Sequence, residues 1–149
     1  MQQYQEVRSR YKFLVVHGAS GTGKTIFCKW LMKDASNVLE VNCASCPEPD
    51  LRKYTPGIHE GILFDEASCS LVLKQKKLFQ SPPVPVELGC STTNCHAYSV
   101  WVHGRQLMIC SNTWVGDLQG LQRAEDREWL GKNSILLDVR DEPMYQGAA

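Results

Sequence analysis

The chain has 149 residues, of which 43% are apolar and 21% charged, so its length and composition suit one folded domain and exclude extended disorder. Sixteen basic residues balance sixteen acidic ones, and this balance excludes a strong overall field that would attract nucleic acid. The apolar runs are far shorter than the ~20 residues of a membrane helix. With no secretory type of N-terminus, we expect an intracellular protein, nuclear or cytoplasmic, with no membrane partner.

The first predicted elements are a strand at Phe13 to His17 and a helix at Thr25 to Lys33. The segment between them is a complete G-x-x-x-x-G-K-[ST] phosphate loop. Its residues are Gly18, Ala19, Ser20, Gly21, Thr22, Gly23, Lys24 and Thr25. The alternative, an ordinary glycine-rich turn, does not require lysine and threonine at the last two positions.

The chemistry of this loop follows from its residue types. Glycines permit positive φ angles, so that several backbone N–H groups turn toward one phosphate at the start of a helix. Lys24 would reach the β- and γ-phosphates, and the Thr25 hydroxyl would ligate Mg²⁺. The loop therefore predicts ATP and Mg²⁺ as cofactors.

The middle of the chain continues the alternation of strands and helices. Val38 to Asn42 predict a second strand, and residues 47–56 a loop. Gly61 to Glu66 form an apolar run that ends in two acids, as a buried parallel strand would. Leu71 to Phe79 predict a helix, which prolines at 82, 83 and 85 would stop.

The last third of the chain predicts a hairpin, two strands and a helix. The hairpin joins Val86 to Gly89 with Tyr98 to Val102. A strand at Gln106 to Cys110 is followed by Ser111 and Asn112, and the final strand is Ile135 to Val139. Asp117 to Lys132 read as a helix interrupted by Gly120. The domain prediction is an extension at 1–10, a main domain at 11–140 and a frayed tail at 141–149.

Strands separated by helices indicate an α/β fold with a mainly parallel sheet, in which ligands bind at the carboxyl ends of the strands. If the relevant strands are neighbours, Asp65, Glu66 and Asn112 converge on the phosphate loop. Asp65 would hold Mg²⁺, Glu66 would deprotonate an attacking water, and Asn112 would hydrogen-bond that water or the γ-phosphate. The alternatives are a solvated acidic strand end and an ordinary turn asparagine.

The order of these motifs resembles the superfamily 3 helicase domain of viral replication-initiator (Rep) proteins, of the circovirus-like kind, or of cellular genes derived from them. Three segments carry the resemblance: Gly18 to Thr25, Ile62 to Glu66, and Leu107 to Asn112. It implies an AAA+-like P-loop NTPase with an inserted β-hairpin. It also implies a homo-oligomeric ring, commonly a hexamer, that moves along single-stranded nucleic acid, DNA in preference to RNA.

In that family an arginine of the neighbouring subunit completes the catalytic site. The resemblance implies Arg127 for this role, with Arg123 and Arg140 as alternatives in the same part of the chain.

Two features depart from the family's pattern. The hairpin tip, residues 91–94, lacks the lysine that usually meets DNA, and the nearest substitutes are His96, Tyr98, His103 and the lysines at 74, 76 and 77. The upstream nicking nuclease, with its paired histidines and catalytic tyrosine, is also missing, so we expect no nicking activity from this chain.

Two other functions remain open at this stage. One is a nucleotide-binding switch or an inactive remnant of a helicase, which would bind nucleotide without DNA-stimulated turnover. The other is a small-molecule P-loop kinase, although no lid-like insertion is visible.

The chain contains seven cysteines, and without a secretory signal this odd number indicates reduced thiols. Cys28, Cys69 and Cys110 lie in apolar segments and are expected in the core. A zinc site is open as a further possibility if two loops meet; its ligands would be Cys43, Cys46, Cys90 and Cys95.

Overall fold

The computed structural model describes residues 11–18, 23–31, 37–44, 48–89 and 97–140. Within these ranges, strands and helices largely alternate along the chain. The strands are β1 (Phe13–Gly18), β2 (Val38–Asn42), β3 (Gly61–Asp65), β4 (Val86–Leu88), β5 (Tyr98–Val100), β6 (Gln106–Ser111) and β7 (Ser134–Arg140). The helices are α1 (Lys24–Trp30), α2 (Cys69–Lys74), α3 (Lys76–Phe79), α4 (Trp114–Gln119) and α5 (Ala124–Asn133).

Five strands form one parallel sheet in the order β2-β3-β6-β1-β7. Its central strands are apolar along their length because helices cover both faces. β4 and β5 pair separately as an antiparallel ribbon, so the predicted hairpin is confirmed. The predicted fold class is also confirmed: the chain has an α/β P-loop fold with a parallel central sheet, flanking helices and an inserted hairpin.

Alternate residues of each central strand contribute to two separate cores, as the two-residue period of a strand requires. Leu14, Val16, Leu63 and Met108 pack on one face with Cys28 of α1. The opposite face carries the larger core, which includes residues of α2, α3, α4 and α5. The phosphate-loop helix α1 therefore lies alone on its side of the sheet among the described helices.

Two predicted helices are each divided in the structure. The helix predicted over Leu71 to Phe79 begins earlier, at Cys69, where the Ser68 side chain accepts a hydrogen bond from the Leu71 N–H at 3.1 Å. It breaks at Gln75, whose φ of −121° and ψ of 37° are not helical. The helix predicted over Asp117 to Lys132 begins earlier, at Trp114, and its predicted interruption at Gly120 is confirmed, because α4 ends there and α5 follows.

The remaining boundaries differ little from prediction. α1 ends at Trp30 with Leu31 as its C-cap, and residues 32 and 33 of the predicted helix lie outside the described ranges. The segments 1–10 and 141–149 also lie outside them, so the division into extension, domain and tail stays a prediction. No helix of the described residues is long and apolar enough to cross a membrane.

Candidate functional site

The strand order brings the predicted site elements to one edge of the sheet. β6 lies between β1 and β3, so the strand that precedes the phosphate loop, the strand that ends in Asp65 and the strand that precedes Asn112 are neighbours. Cys110 is the register partner of both Val16 and Asp65. Two strand spacings, roughly 10 Å, therefore separate the backbone of Asp65 from that of β1.

The start of α1 contains the last residues of the predicted phosphate loop. Gly23 precedes the helix with a φ of 84° and a ψ of 21°, a left-handed conformation that glycine adopts without strain. Its carbonyl accepts the helical hydrogen bond of Phe27 N–H at 2.9 Å. Lys24 and Thr25 lie in the first turn of α1, at the carboxyl edge of the sheet. Lys24 is 9% exposed and Thr25 is half-buried.

The first part of the predicted loop is not described. Gly18 is the last residue of β1, but Ala19, Ser20, Gly21 and Thr22 lie outside the described ranges. Their role as phosphate ligands stays a prediction.

The acid pair ends β3 as the sequence predicts. Asp65 is half-buried, and because Leu63 packs toward α1, the alternation of side chains places Asp65 on the α1 side of the sheet. The carbonyl of Asp65 accepts a hydrogen bond from Cys43 N–H at 2.8 Å, which ties it to the end of β2.

Glu66 has an unusual backbone conformation. Its φ is +61°, in the left-handed region that disfavours non-glycine residues. Its N–H donates to the Cys110 carbonyl at 2.8 Å, so the chain is tied to β6 at the point where it turns out of the sheet. Strained backbone of this kind clusters at functional sites, and here it sets the direction in which the half-buried Glu66 leaves the strand.

Asn112 lies immediately after β6 and is exposed, next to the buried Ser111. The Ser111 hydroxyl accepts a hydrogen bond from Thr113 N–H at 3.1 Å. This bond turns the chain sharply after the strand, and α4 begins at Trp114. Asn112 is therefore held at the carboxyl edge, between the ends of β1 and β3.

The candidate arginines occupy different places. Arg127 lies on α5, is exposed, and its Nη1 donates to the carbonyl of Leu121 in the same chain. Arg123 is the N-cap residue of α5 and pairs with Glu125 at 3.1 Å. Arg140 is the last residue of β7 and its backbone is in register with Gly18, while its side chain lies outside the description.

Several of the residues proposed as substitutes for a hairpin lysine contact other groups of the chain. Tyr98 Oη accepts a hydrogen bond from Leu51 N–H at 2.9 Å, and His103 packs edge-on against Tyr11 and Trp101. Lys76 lies 3.9 Å from an Asp126 carboxylate oxygen and 5.2 Å from the centre of the Trp129 ring. His96 and the hairpin tip at 91–94 lie outside the described residues, and Lys74 and Lys77 are exposed.

Two thiols meet directly beneath the candidate site, a contact that sequence reasoning missed. Cys28 of α1 and Cys110 of β6 are buried, as predicted, with their sulfur atoms 3.5 Å apart. The hydrogen bond with Cys110 raises the pKa of Cys28, and burial and the nearby charge of Asp65 raise it further. Both thiols were expected in the core, but only the packing of α1 over β6 makes them neighbours.

A second missed contact lies beside the loop. His17 Nδ1 is 3.2 Å from Asp138 Oδ1, and the two residues are register partners on β1 and β7. The sequence offered no signal for it, because the pairing of β1 with the last strand depends on the sheet order.

The zinc possibility is only partly described. Cys43 is buried and its thiol donates to the Val41 carbonyl at 3.8 Å. Cys46, Cys90 and Cys95 lie outside the described ranges, and no cluster of potential metal ligands occurs within those ranges. Cys69, also buried as predicted, donates to the Trp114 carbonyl at 3.7 Å.

The chain was compared with protein families, curated proteins and solved structures. No protein-family model and no curated protein matches it. Among solved structures, it is similar to NtrX from Brucella abortus, crystallised in complex with ATP, with a TM-score of 0.49 and 15% sequence identity. The match covers 93% of this chain and 35% of that one, so the chain spans about a third of the length of NtrX.

Proposed function

We propose that the chain is a Mg²⁺-dependent ATPase that transfers the γ-phosphate of ATP to water. The observation that carries this proposal is the strand order, which brings Lys24, Asp65 and Asn112 to one sheet edge. Asp65 lies on the same side of the sheet as α1, the helix that Lys24 begins.

Each residue has a role that its position supports. Lys24 and Thr25, at the helix start, would contact the β- and γ-phosphates and the metal respectively, together with the backbone N–H groups of the loop. Asp65 would bind Mg²⁺, usually through a water. Glu66 would orient and deprotonate the attacking water. Asn112, at the end of the intervening strand, would donate a hydrogen bond to that water or to the γ-phosphate.

The test is steady-state ATP hydrolysis by the purified chain beside the Glu66→Gln variant. We expect the variant to bind ATP as the parent does and to lose turnover, since an amide cannot accept the proton. The Glu60→Gln variant, at an exposed position just before β3, is the matched control and should hydrolyse ATP normally. Parental turnover in Glu66→Gln would remove Glu66 from the mechanism.

We further propose that the ATPase acts on single-stranded nucleic acid as a superfamily 3 helicase domain, with DNA as the preferred track. The sequence resemblance supports this, as does the separate β4–β5 ribbon, which is inserted between α3 and β6. Single-stranded DNA should then stimulate turnover. Nucleotide binding without stimulated turnover would favour the switch or remnant, and phosphate transfer to a small acceptor would favour the kinase.

Assembly into a ring, commonly a hexamer, belongs to the same proposal. Helix α1 supports it with two exposed apolar side chains, Ile26 at 62% and Trp30 at 75% exposure, a surface suited to contact with another subunit. Sedimentation with ATP and Mg²⁺ would measure the assembly. Replacing Trp30 by Ser should weaken it without unfolding the chain, and a monomer under all conditions would contradict the ring.

Within such a ring, Arg127 would act as the arginine finger. Its guanidinium donates a hydrogen bond to the Leu121 carbonyl in its own subunit. Arg127 must therefore break that hydrogen bond before it can contact the nucleotide of the neighbouring subunit. Arg127→Ala should lower turnover on the order of 10³-fold while ATP still binds. A normal rate would move the role to Arg123, whose Glu125 pairing is exposed, or to Arg140.

A further inference from the structure

Cys28 and Cys110 form a pair of thiols beneath the candidate ATP site. Their sulfur atoms lie 3.5 Å apart, and the two residues are 0% and 1% exposed. A disulfide joins two sulfur atoms at about 2.0 Å, so these atoms need to approach by only about 1.5 Å to form one. A small shift of α1 toward β6 would supply that approach.

The two thiols connect the helix and the strand on which the candidate site depends. Cys28 lies one turn after Lys24 on α1, and these two are the buried residues of that helix. Cys110 is the register partner of Asp65, and its carbonyl accepts a hydrogen bond from the Glu66 N–H at 2.8 Å. A bond between the two sulfur atoms would therefore fix the helix that carries the lysine against the strand that lies between β1 and β3.

Both thiols are shielded from solvent, so an oxidant reaches them only when α1 separates locally from the sheet. Of the seven residues of α1, only Lys24 and Cys28 are buried, while Ile26 and Trp30 are 62% and 75% exposed. Among the described helices, α1 is also alone on its face of the sheet. Elements with few buried contacts open at a low cost in free energy, so α1 is suited to such local opening.

We propose that Cys28 and Cys110 are a peroxide-sensitive pair whose disulfide holds α1 in a position that weakens ATP binding. When α1 opens, one thiol attacks an oxygen atom of hydrogen peroxide and becomes a sulfenic acid, while its proton leaves with the other hydroxyl as water. When α1 closes, the second thiol attacks the sulfenic sulfur, the S–S bond forms and a second water leaves. Two thiols thereby lose two electrons in total, and one peroxide is reduced to two waters. Dithiothreitol returns the pair to two thiols by exchange.

The expected loss of ATP affinity follows from the position of Lys24. A shift of α1 by about 1.5 Å would move this lysine and the start of the helix relative to Gly18, the last residue of β1. The contacts of both with the phosphates depend on that geometry. Coupling between two sites usually changes an affinity by about 5- to 150-fold, and we expect a change of about tenfold here. This part rests on the proposed binding of ATP.

The test of the disulfide is peptide mapping of the full chain after treatment with hydrogen peroxide and blocking of the remaining thiols. Trypsin releases Cys28 in the peptide 25–29 and Cys110 in the peptide 106–123, and neither peptide contains a second cysteine. We expect the two peptides to be linked in the parent, and not in Cys28→Ala or Cys110→Ala. Cys69→Ala is the matched control and should keep the link, because the buried Cys69 thiol donates to the Trp114 carbonyl instead of another thiol.

ATP affinity is then measured by calorimetry on the reduced and the oxidised chain. The oxidised parent should bind ATP about tenfold more weakly than the reduced parent, and dithiothreitol should restore the affinity. Cys28→Ala and Cys110→Ala should each bind ATP as the reduced parent does and keep that affinity after peroxide. Because the two substitutions lie on different elements, misfolding of one variant leaves the other as the control.

Three results would overturn the proposal. One is the absence of the linked peptides, and another is linkage of Cys28 to other cysteines to the same extent, as in an unfolded chain. The third is an oxidised chain that binds ATP as tightly as the reduced one. If the reduced chain binds no ATP, the ATPase proposal fails together with the effect on ATP, whereas the peptide map still decides whether the two thiols form a disulfide.

Discussion

At the scale of single residues, Lys24 combines burial with a charge. It is 9% exposed at the first position of α1, and Cys28, one turn later on the same helix, is fully buried. We expect Lys24→Ala to abolish ATP binding while the chain still folds, since alanine suits the helix and its methyl group fits a buried site. ATP binding measured by calorimetry, with circular dichroism for the fold, checks this.

The matched control for Lys24 lies on the same helix. Lys29 is half-buried and pairs with Glu40 of β2, so Lys29→Ala removes a similar charge without touching the loop. It should bind ATP with the parental affinity and change the free energy of unfolding by less than about 1 kcal/mol. Equal loss of binding in both variants would show that α1, and not the lysine, is responsible.

We expect the backbone conformation of Glu66 to lower the stability of the fold, while its side chain serves ATP hydrolysis. Its φ of +61° costs a non-glycine residue of the order of 1 kcal/mol. Glu66→Gly should therefore raise the free energy of unfolding by up to about 1 kcal/mol in urea denaturation while ATP hydrolysis is lost. The Asp65→Gly variant, at a position within β3, should instead be destabilised. A Glu66→Gly variant less stable than the parent would show that side-chain contacts outweigh the strain.

The sequence singles out the residues of the candidate site but not their contacts. The phosphate loop and the acids at 65 and 66 are local patterns, in which neighbouring residues alone carry the signal. The left-handed conformation of Glu66 and the contact of Cys28 with Cys110 depend on tertiary packing, which no local pattern encodes. The positions of Ala19 to Thr22 still rest on the sequence.

At the scale of elements, α2 begins three residues after Glu66, and Ser68 fixes its start. The Ser68 side chain accepts the Leu71 N–H at 3.1 Å, which satisfies one of the free donors at the helix start. Ser68→Ala should lower the free energy of unfolding by about 1 kcal/mol in urea denaturation. Ser70→Ala, exposed on the same helix, should change it by less than about 0.5 kcal/mol. Equal effects would exclude the cap.

The elements were easier to predict than their order in the sheet. The strands at 13, 38, 61 and 106 are short apolar runs, and their prediction is confirmed. The placement of β6 between β1 and β3 depends on which apolar faces α1 and the opposite helices cover, and this is a property of the whole packing. The break at Gln75 was not predicted, whereas the interruption at Gly120 was, because glycine disfavours the interior of a helix.

At the scale of the whole molecule, buried weak acids predict sensitivity to alkali. Burial, with a smaller effect of Asp117, raises the pKa of Cys69 from 9.0 to about 12, and burial also raises the pKa of Tyr98 above 10.0. In the unfolded chain these groups release their protons at lower pH than in the folded chain. The folded state therefore binds more protons above pH 9, and its stability falls as pH rises.

The expected fall begins near pH 9 and continues to about pH 12, the window set by Cys69. Its slope approaches about 1.4 kcal/mol per pH unit for each such group. Urea denaturation under reducing conditions at a series of pH values measures it. Cys69→Ala should reduce the slope between pH 9 and 12, and a parental slope in that variant would assign the sensitivity to the other groups.

The pairing of β1 has a consequence for how the chain is made. β1 is the first described strand, yet both of its partners, β6 and β7, come from the last third of the chain. During synthesis, β1 leaves the ribosome long before either partner exists, and such distant pairing is slow to form. Among the described strands, the one that leads into the phosphate loop is thus translated first and completed last. A nascent chain halted before residue 134 would carry every proposed catalytic residue except the alternative Arg140, yet would leave one side of β1 open.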